Sequence, residues 1–295
     1  MTIVAVIGVG AMGVGMAGAQ VKAGRTVRAY DLSADAVGRA VARGCEPAAS
    51  VADAVRGADV VITMLPAGPQ VRALYAEQLL PYADRSALLI DCSTIDVESA
   101  RAVAAQASAA GFVAADAPVS GGVAAADAGT LAFMVGCPEP AFARIEEALQ
   151  PMARVVIRAG ESGAGQAAKI CNNMLLGISM IGVCEAFALA EKLGLAPERF
   201  YEIASQSSGQ CWSLTSYSPW PGVGPAAPSD RGYAPGFATA MMLKDLKLAQ
   251  AAAAEVGATA PLGAQAEALY QLLAAHGHAG EDFSVMLQFL RGATR

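Results

Sequence analysis

One lysine and two asparagines enter an apolar stretch together, in the run GAGQAAKICNN over 163–173, which continues as MLLGISMIGVC. Gly165, Lys169 and Asn173 recur every four residues, so a helix would carry them on one face with Asn172 beside them. A lysine at the entrance of a core must be hydrogen-bonded or have a lowered pKa. An unperturbed lysine, near ~10.4, is a poor base at neutral pH, whereas one lowered to about 7–8 suits proton abstraction. Lys169 is the strongest candidate for such a base, with Asn173 assisting, because no histidine, metal motif or activated Tyr-Lys pair competes for the role. The same residues also read as a lysine reaching to solvent with two capping asparagines. A second cluster, Pro118-Val119-Ser120-Gly121-Gly122, presents one hydroxyl and several main-chain N–H groups, a cradle for a carboxylate. By itself it reads more readily as an ordinary turn. Lys244, between Met241, Leu243 and Leu246, fits a solvated helix edge unless a bound anion needs a second positive group.

The chemistry that would use such a base is suggested at the other end of the chain. Gly8-Val9-Gly10-Ala11-Met12-Gly13 follows an apolar β-type run and opens a helical one, the context a dinucleotide fingerprint requires. Gly8 would make the tight turn, Gly10 would let the backbone approach a pyrophosphate, and Gly13 would allow close helix–strand contact. The helix start, with Ala11 and Met12, adds N–H groups and the positive end of its dipole. Asp31 lies 18 residues after Gly13 at the end of the next β-type run. A carboxylate there would accept the ribose hydroxyls and repel a 2′-phosphate, favouring NAD over NADP. Leu65-Pro66 and Ser93-Thr94 stand at further strand ends facing the same crevice, although Thr94 fits the cap of the following helix equally well.

These residues need a particular frame. Short β-type runs at Ile3–Ile7, Thr26–Tyr30, Val60–Met64, Leu88–Asp91, Val113–Asp116, Leu131–Val135 and Val155–Ile157, several of them continuously apolar, alternate with Ala-rich segments such as Asp96–Ala110. That is the rhythm of a doubly wound, mostly parallel sheet covered on both faces. After Gly160 the rhythm stops and helices follow: one through Lys192, then Pro197–Ser205, Met241–Val256, Pro261–Ala275 and a last one from Phe283. The expected organisation is an α/β Rossmann domain over 1–162 and an all-α domain over 163–295. The Pro-, Gly- and aromatic-rich loop Ser216–Gly236 is too long to be a mere connection.

Composition narrows the class. With 55% apolar and 16% charged residues among 295, the chain can bury a large core. Its net charge of −6, with basic residues scattered singly, leaves no footprint for nucleic acid. Six cysteines without a CxxC pair read as reduced thiols of a cytoplasmic protein. His276 and His278, adjacent in HGH, read as loop histidines, and no metal site is expected. The glycine-dense N-terminus lacks a basic segment before its apolar run, and Met174–Cys184 is short for a bilayer, so no membrane association is expected.

GVGAMG, DAPVSGG with AGTLAFMVG, GAGQAAKICNN and MLKDL occur in an order that resembles the β-hydroxyacid dehydrogenases, across nearly the whole chain. QSSGQCWSLTSYSPWPGV, RGYAPGFATAMMLKDL, APLG and a terminal DFS resemble the branch acting on 3-hydroxyisobutyrate. The resemblance implies a second domain similar to the all-α domain of 6-phosphogluconate dehydrogenase, and oxidation of 3-hydroxyisobutyrate to methylmalonate semialdehyde with NAD, within valine breakdown. It implies Lys169 as acid/base with Asn173 assisting and Asn172 nearby. Ser120, Gly121 and Gly122 would hold the substrate carboxylate, Lys244 would contact cofactor or substrate, and Trp212 and Phe237 would wall the pocket against the methyl group. It further implies homodimers or homotetramers. Sister enzymes acting on tartronate semialdehyde, 3-hydroxypropionate or serine, and a non-catalytic dinucleotide-binding regulator, remain as alternatives.

Overall fold

The computed structural model describes residues 2–292. Nine strands form one sheet: β1 Ile3–Ile7, β2 Thr26–Tyr30, β3 Glu46–Pro47, β4 Val60–Thr63, β5 Leu88–Asp91, β6 Val113–Asp116, β7 Val119–Ser120, β8 Leu131–Gly136 and β9 Ala153–Gly160. Their order is β3-β2-β1-β4-β5-β6-β8-β7, with β9 beside β8. The pairs among β1 to β6 are parallel, whereas β8 runs antiparallel to β6 and β7. The helices that cover this sheet are α1 Gly13–Lys22, α2 Ala34–Val41, α3 Val51–Val55, α4 Gly68–Leu74, α5 Val97–Ala109, α6 Gly122–Ala128 and α7 Phe142–Leu149.

The apolar runs have a direct structural reason. Val4 and Val6 of β1, Val60 and Ile62 of β4, and Leu88 and Ile90 of β5 pack into one core. Their alternating neighbours Ala5, Ile7, Val61 and Leu89 pack into another. Successive side chains of a strand point to opposite faces, so a sheet with two covered faces needs apolar residues at every position. Two short strands escape the sequence reading. β3 and β7 have two residues each, too few for any period to show. β7 continues β6 in register along the same side of β8, Asp116 facing Gly136 and Val119 facing Phe133. The interruption falls at Ala117-Pro118, where proline has no N–H to donate.

The remaining helices are α8 Ala164–Lys192, α9 Pro197–Ser205, α10 Trp212–Thr215, α11 Thr239–Val256, α12 Pro261–Leu273 and α13 Met286–Leu290. The chain divides into two compact units, Met1–Lys169 and Ile170–Arg295, and the division falls inside α8. The helical unit has its own core, built from Met180, Cys184 and Phe187 of α8, Met242 and Leu246 of α11, Tyr270 and Leu273 of α12, and Phe283 to Leu287. At 29 residues α8 is long and apolar enough to cross a membrane by length and composition, which the shorter run Met174–Cys184 did not suggest. Of its most apolar stretch 44% is buried inside the protein.

The loop between α10 and α11 is irregular but pinned. Ser229 Oγ donates to the Ser218 carbonyl at 2.8 Å, and Tyr233 Oη donates to the Pro219 carbonyl at 2.9 Å. The Arg291 guanidinium forks onto Glu191 at 2.8 and 2.6 Å and lies 4.4 Å from the Trp220 ring centroid. His276 and His278 flank Gly277, whose φ of +97° breaks the helix after α12, and His276 is exposed while His278 is half-buried. His278 Nδ1 lies 2.7 Å from Glu281 Oε2, and His276 Nδ1 lies 2.8 Å from the Leu272 carbonyl.

Candidate active site

In the strand-rich unit, the fingerprint glycines divide by what surrounds them. Gly8 has φ +90°, and a Cβ there would run into the Met64 carbonyl at the end of β4. A Cβ on Gly13 would run into the Gly8 carbonyl. Those two positions are set by the turn itself. Gly10 has no protein atom within 4 Å of where its Cβ would be. The open space there leaves room for a group outside the protein, as a pyrophosphate against the backbone would need. Ala11 is exposed and Met12 half-buried, and the first helical bond is from Val14 N–H to the Gly10 carbonyl. The N–H groups before it stand at the helix start, where a phosphate is favoured.

Asp31 closes the same loop. Its Oδ2 accepts Val9 N–H at 2.9 Å and its Oδ1 accepts Ser33 N–H at 2.9 Å. The carboxylate thus holds the glycine turn in place while remaining half exposed at the end of β2. The residues present fit an adenine dinucleotide: an open glycine, a helix start and a carboxylate at the second strand end.

Leu65 is joined to the end of β5, next to Thr94, through a buried polar chain. Thr63 Oγ1 and Ser93 Oγ both donate to Asp91 Oδ1 at 2.6 Å, and Leu65 N–H donates to Ser93 Oγ at 2.8 Å. Burial pushes the Asp91 carboxyl up to about 6, against the hydrogen bonds from Ser93 and Thr63 that favour its charged form. Its Oδ2 has no hydrogen-bond partner, as Tyr75 Oη has none, and both residues line a small cavity of about 10 Å³ with Asp116. Leu65 and Thr94 are half-buried and Pro66 is exposed. The helix after β5 is capped by Asp96, whose side chain accepts Ser99 N–H at 2.7 Å, so capping does not explain Thr94.

The first turn of α8 is fastened to the ends of β5 and β6. Asp116 Oδ1 accepts Gly163 N–H at 2.7 Å and its Oδ2 accepts Gln166 N–H at 2.9 Å. Gln166 Nε2 donates to the Ser93 carbonyl at 2.7 Å, and its Oε1 accepts Ile95 N–H at 3.1 Å. A Cβ on Gly165 would run into the Met134 carbonyl, so the helix lies directly on β8 there. Burial raises the Asp116 carboxyl above its usual value, opposed by the N–H groups of Gly163 and Gln166. Lys169 follows one turn later and is 6% exposed. Its burial agrees with a helix face that enters the core. Ser120 ends β7 half-buried, with Gly121 at φ +133° and Gly122 at φ +69°.

In the helical unit Asn173 is fully buried and donates from Nδ2 to Asp245 Oδ2 at 2.5 Å. Asn172 is exposed and donates to Asn173 Oδ1 at 3.0 Å. Lys244 Nζ lies 3.5 Å from Asp245 Oδ1, so this lysine is half-buried on a paired edge rather than fully solvated. Trp212, 51% exposed, stacks on Tyr217 with centroids 4.9 Å apart. Phe237 is half-buried, edge-on to Phe283 at 5.7 Å. Sequence reasoning missed Gln166, Asp116, Asp91 and Asp282. Gln166, Asp116 and Asp282 stand inside quoted motifs, between Gly165 and Lys169 and at the heads of DAPVSGG and DFS, without having been singled out there. Among the described residues no group of three or more His, Cys, Asp or Glu side chains is placed to hold a metal.

Residues 3–160 match the family model described as the NAD binding domain of 6-phosphogluconate dehydrogenase. Residues 163–290 match one described as NAD-binding of NADP-dependent 3-hydroxyisobutyrate dehydrogenase. The chain is 50% identical to 3-hydroxyisobutyrate dehydrogenase of Pseudomonas aeruginosa, covering 99% of each chain. It is 46% identical to NAD-dependent L-serine dehydrogenase of the same organism, covering 96% of each. The solved structure of Mycobacterium tuberculosis 3-hydroxyisobutyrate dehydrogenase with L-serine superposes with a TM-score of 0.94 at 47% identity, covering 99% of each chain. Identity of this extent over the full length, together with the matched dinucleotide domain, places the chain in the 3-hydroxyisobutyrate dehydrogenase family of β-hydroxyacid dehydrogenases, as an NAD-binding oxidoreductase.

Proposed function

We propose that this protein oxidises 3-hydroxyisobutyrate to methylmalonate semialdehyde, as a soluble cytoplasmic enzyme of valine breakdown, with Lys169 as general base. The observation that carries the reading is the burial of Lys169 one turn beyond a helix start anchored to two strand ends. Burial disfavours the charged ammonium and so moves a lysine toward the range in which it accepts a proton near neutral pH. Lys169 Nζ takes the hydroxyl proton as the C3–H bond breaks, and returns it in the reverse reaction. Bound NAD supplies the hydride acceptor.

Gly8, Gly10, Ala11, Met12 and Gly13 would hold the pyrophosphate, Asp31 the adenosine ribose, and Leu65, Pro66 and Thr94 the nicotinamide side. Ser120 with the N–H groups of Gly121 and Gly122 would hold the substrate carboxylate. Asn173, oriented by Asp245, supports the base, with Asn172 beside it. Lys244 supplies a further positive group for cofactor or substrate, and Trp212 and Phe237 meet the methyl substituent. Residues 1–162 serve the cofactor and 163–295 the substrate and assembly into a homodimer or homotetramer.

The second reading is a sister enzyme for L-serine, favoured by the relative named for that activity and by the solved relative whose title includes L-serine. Measuring kcat/KM for 3-hydroxyisobutyrate, 3-hydroxypropionate, serine and glycerate with NAD and NADP decides between them. Highest kcat/KM on 3-hydroxyisobutyrate with NAD is the expected result. Preference for serine selects the second reading, and absence of NADH formation on every acid selects a dinucleotide-binding regulator.

A further inference from the structure

The terminal DFS segment, Asp282-Phe283-Ser284, enters none of the steps above, yet its carboxylate organises much of the helical unit. Asp282 is fully buried. Its Oδ2 accepts Tyr217 O–H at 2.8 Å and the N–H groups of Gly236 and Phe237 at 3.0 Å each. Its Oδ1 accepts Ser284 N–H at 3.1 Å and Ser284 O–H at 2.6 Å. Main-chain bonds run alongside: Asp282 N–H to the Tyr233 carbonyl at 2.9 Å and Phe283 N–H to the Phe237 carbonyl at 3.0 Å. Five donors converge on one carboxylate, and a carboxylate accepts at both oxygens, whereas an amide has only one acceptor oxygen. An asparagine would leave buried donors facing an NH₂ group.

What this carboxylate holds is a row of rings. Trp212 stacks on Tyr217, Tyr217 lies 5.4 Å from Phe283, and Phe237 meets Phe283 at 5.7 Å. The two ends of the row are Trp212 and Phe237. Asp282 grips Tyr217 by its hydroxyl and Phe237 by its backbone, so it sets both ends from one point. We propose that Asp282 is a specificity-positioning residue, which through Tyr217 and the Gly236–Phe237 backbone fixes Trp212 and Phe237 and thereby determines which substituent is accepted at C2 of a 3-hydroxy acid. The inference rests on the assignment of Trp212 and Phe237 to the substrate side.

The test compares Y217F and D282N with wild type on 3-hydroxyisobutyrate (methyl at C2), 3-hydroxypropionate (hydrogen) and serine (ammonium). Y217F keeps the ring and its stacking and removes one hydrogen bond to a charged acceptor. It should raise the 3-hydroxyisobutyrate KM about tenfold, with kcat and the NAD KM within about twofold. Preference for 3-hydroxyisobutyrate over 3-hydroxypropionate should fall by a similar factor, and further in D282N. If D282N does not fold, Y217F alone decides. Unchanged substrate ratios in a folded Y217F, or equal losses on every acid accompanied by a raised NAD KM, overturn the assignment. A wild-type enzyme inactive on all three acids overturns the proposed function instead, whereas an active wild type with unmoved ratios overturns only the role of Asp282.

Discussion

At the scale of single residues, the case for Lys169 joins burial to anchorage. A general base contributes roughly 10²–10⁴-fold to rate. Lys169→Ala should therefore lower kcat by at least about 10²-fold while the NAD Kd, measured by fluorescence titration, stays within about threefold. Near-normal turnover would assign the proton to another group. Asp31 presents a different case, because its carboxylate already serves the protein through Val9 and Ser33. On the proposed contact of Asp31 with the adenosine ribose, Asp31→Ala should raise the NADP-to-NAD ratio of kcat/KM about tenfold or more, since it would remove both ribose recognition and repulsion of a 2′-phosphate. An unchanged ratio would locate cofactor discrimination elsewhere. Lys169 was legible in the sequence because a charged residue stands out against an apolar run. Gln166 was not, because an uncharged side chain among alanines gives no signal until its two partners, the Ser93 carbonyl and Ile95 N–H, are seen.

At the scale of elements, the glycine turn between β1 and α1 holds two glycines required by packing, Gly8 and Gly13, and one, Gly10, with open space beside it, which we propose for ligand approach. Gly13→Ala places a methyl against the Gly8 carbonyl and should lower Tm by about 5 °C or more, as backbone clashes in a packed turn do. Gly10→Ala meets no protein atom within 4 Å. It should leave Tm within about 2 °C while weakening NAD binding by at least about tenfold. Thermal unfolding with cofactor titration on both variants checks the pair, and equal behaviour would refute the division. The central strands β1, β4 and β5 were readable because they are almost wholly apolar, and that follows from burial on both faces. β3 and β7 were not, because two residues carry no period. The cap of α5 was also ambiguous in sequence, since Thr94 and Asp96 are both good capping types. The structure resolves it through the Asp96 bond to Ser99.

At the scale of the whole molecule, two buried carboxyls give folding stability a particular dependence on pH. Asp91 moves from 3.8 up to about 6 on folding, and Asp116 shifts in the same direction. The native state therefore holds these protons more tightly than the unfolded chain. Their contribution is fullest below about pH 4 and is lost as pH rises through about 6. A shift of about two pKa units corresponds to about 3 kcal/mol for Asp91. Urea unfolding between about pH 4 and 7 should show that decline in wild type and a flatter profile in Asp91→Asn. An equal slope in both would remove Asp91 from the account. No sequence pattern announced this, because an aspartate at a strand end looks the same whether its second oxygen faces solvent or a closed cavity beside Tyr75. The division into compact units falls between Lys169 and Ile170, within an uninterrupted helix. Recombination between relatives thus separates the contacts of α8 with Asp116 and Ser93 when the crossover falls in the loop before α8, although that loop is where the secondary structure changes. A chimera joined just after Gly160 would inherit its lysine from one parent and the Asp116 and Ser93 anchors of that lysine's helix from the other, so the two lineages must have matched these positions for the hybrid to work.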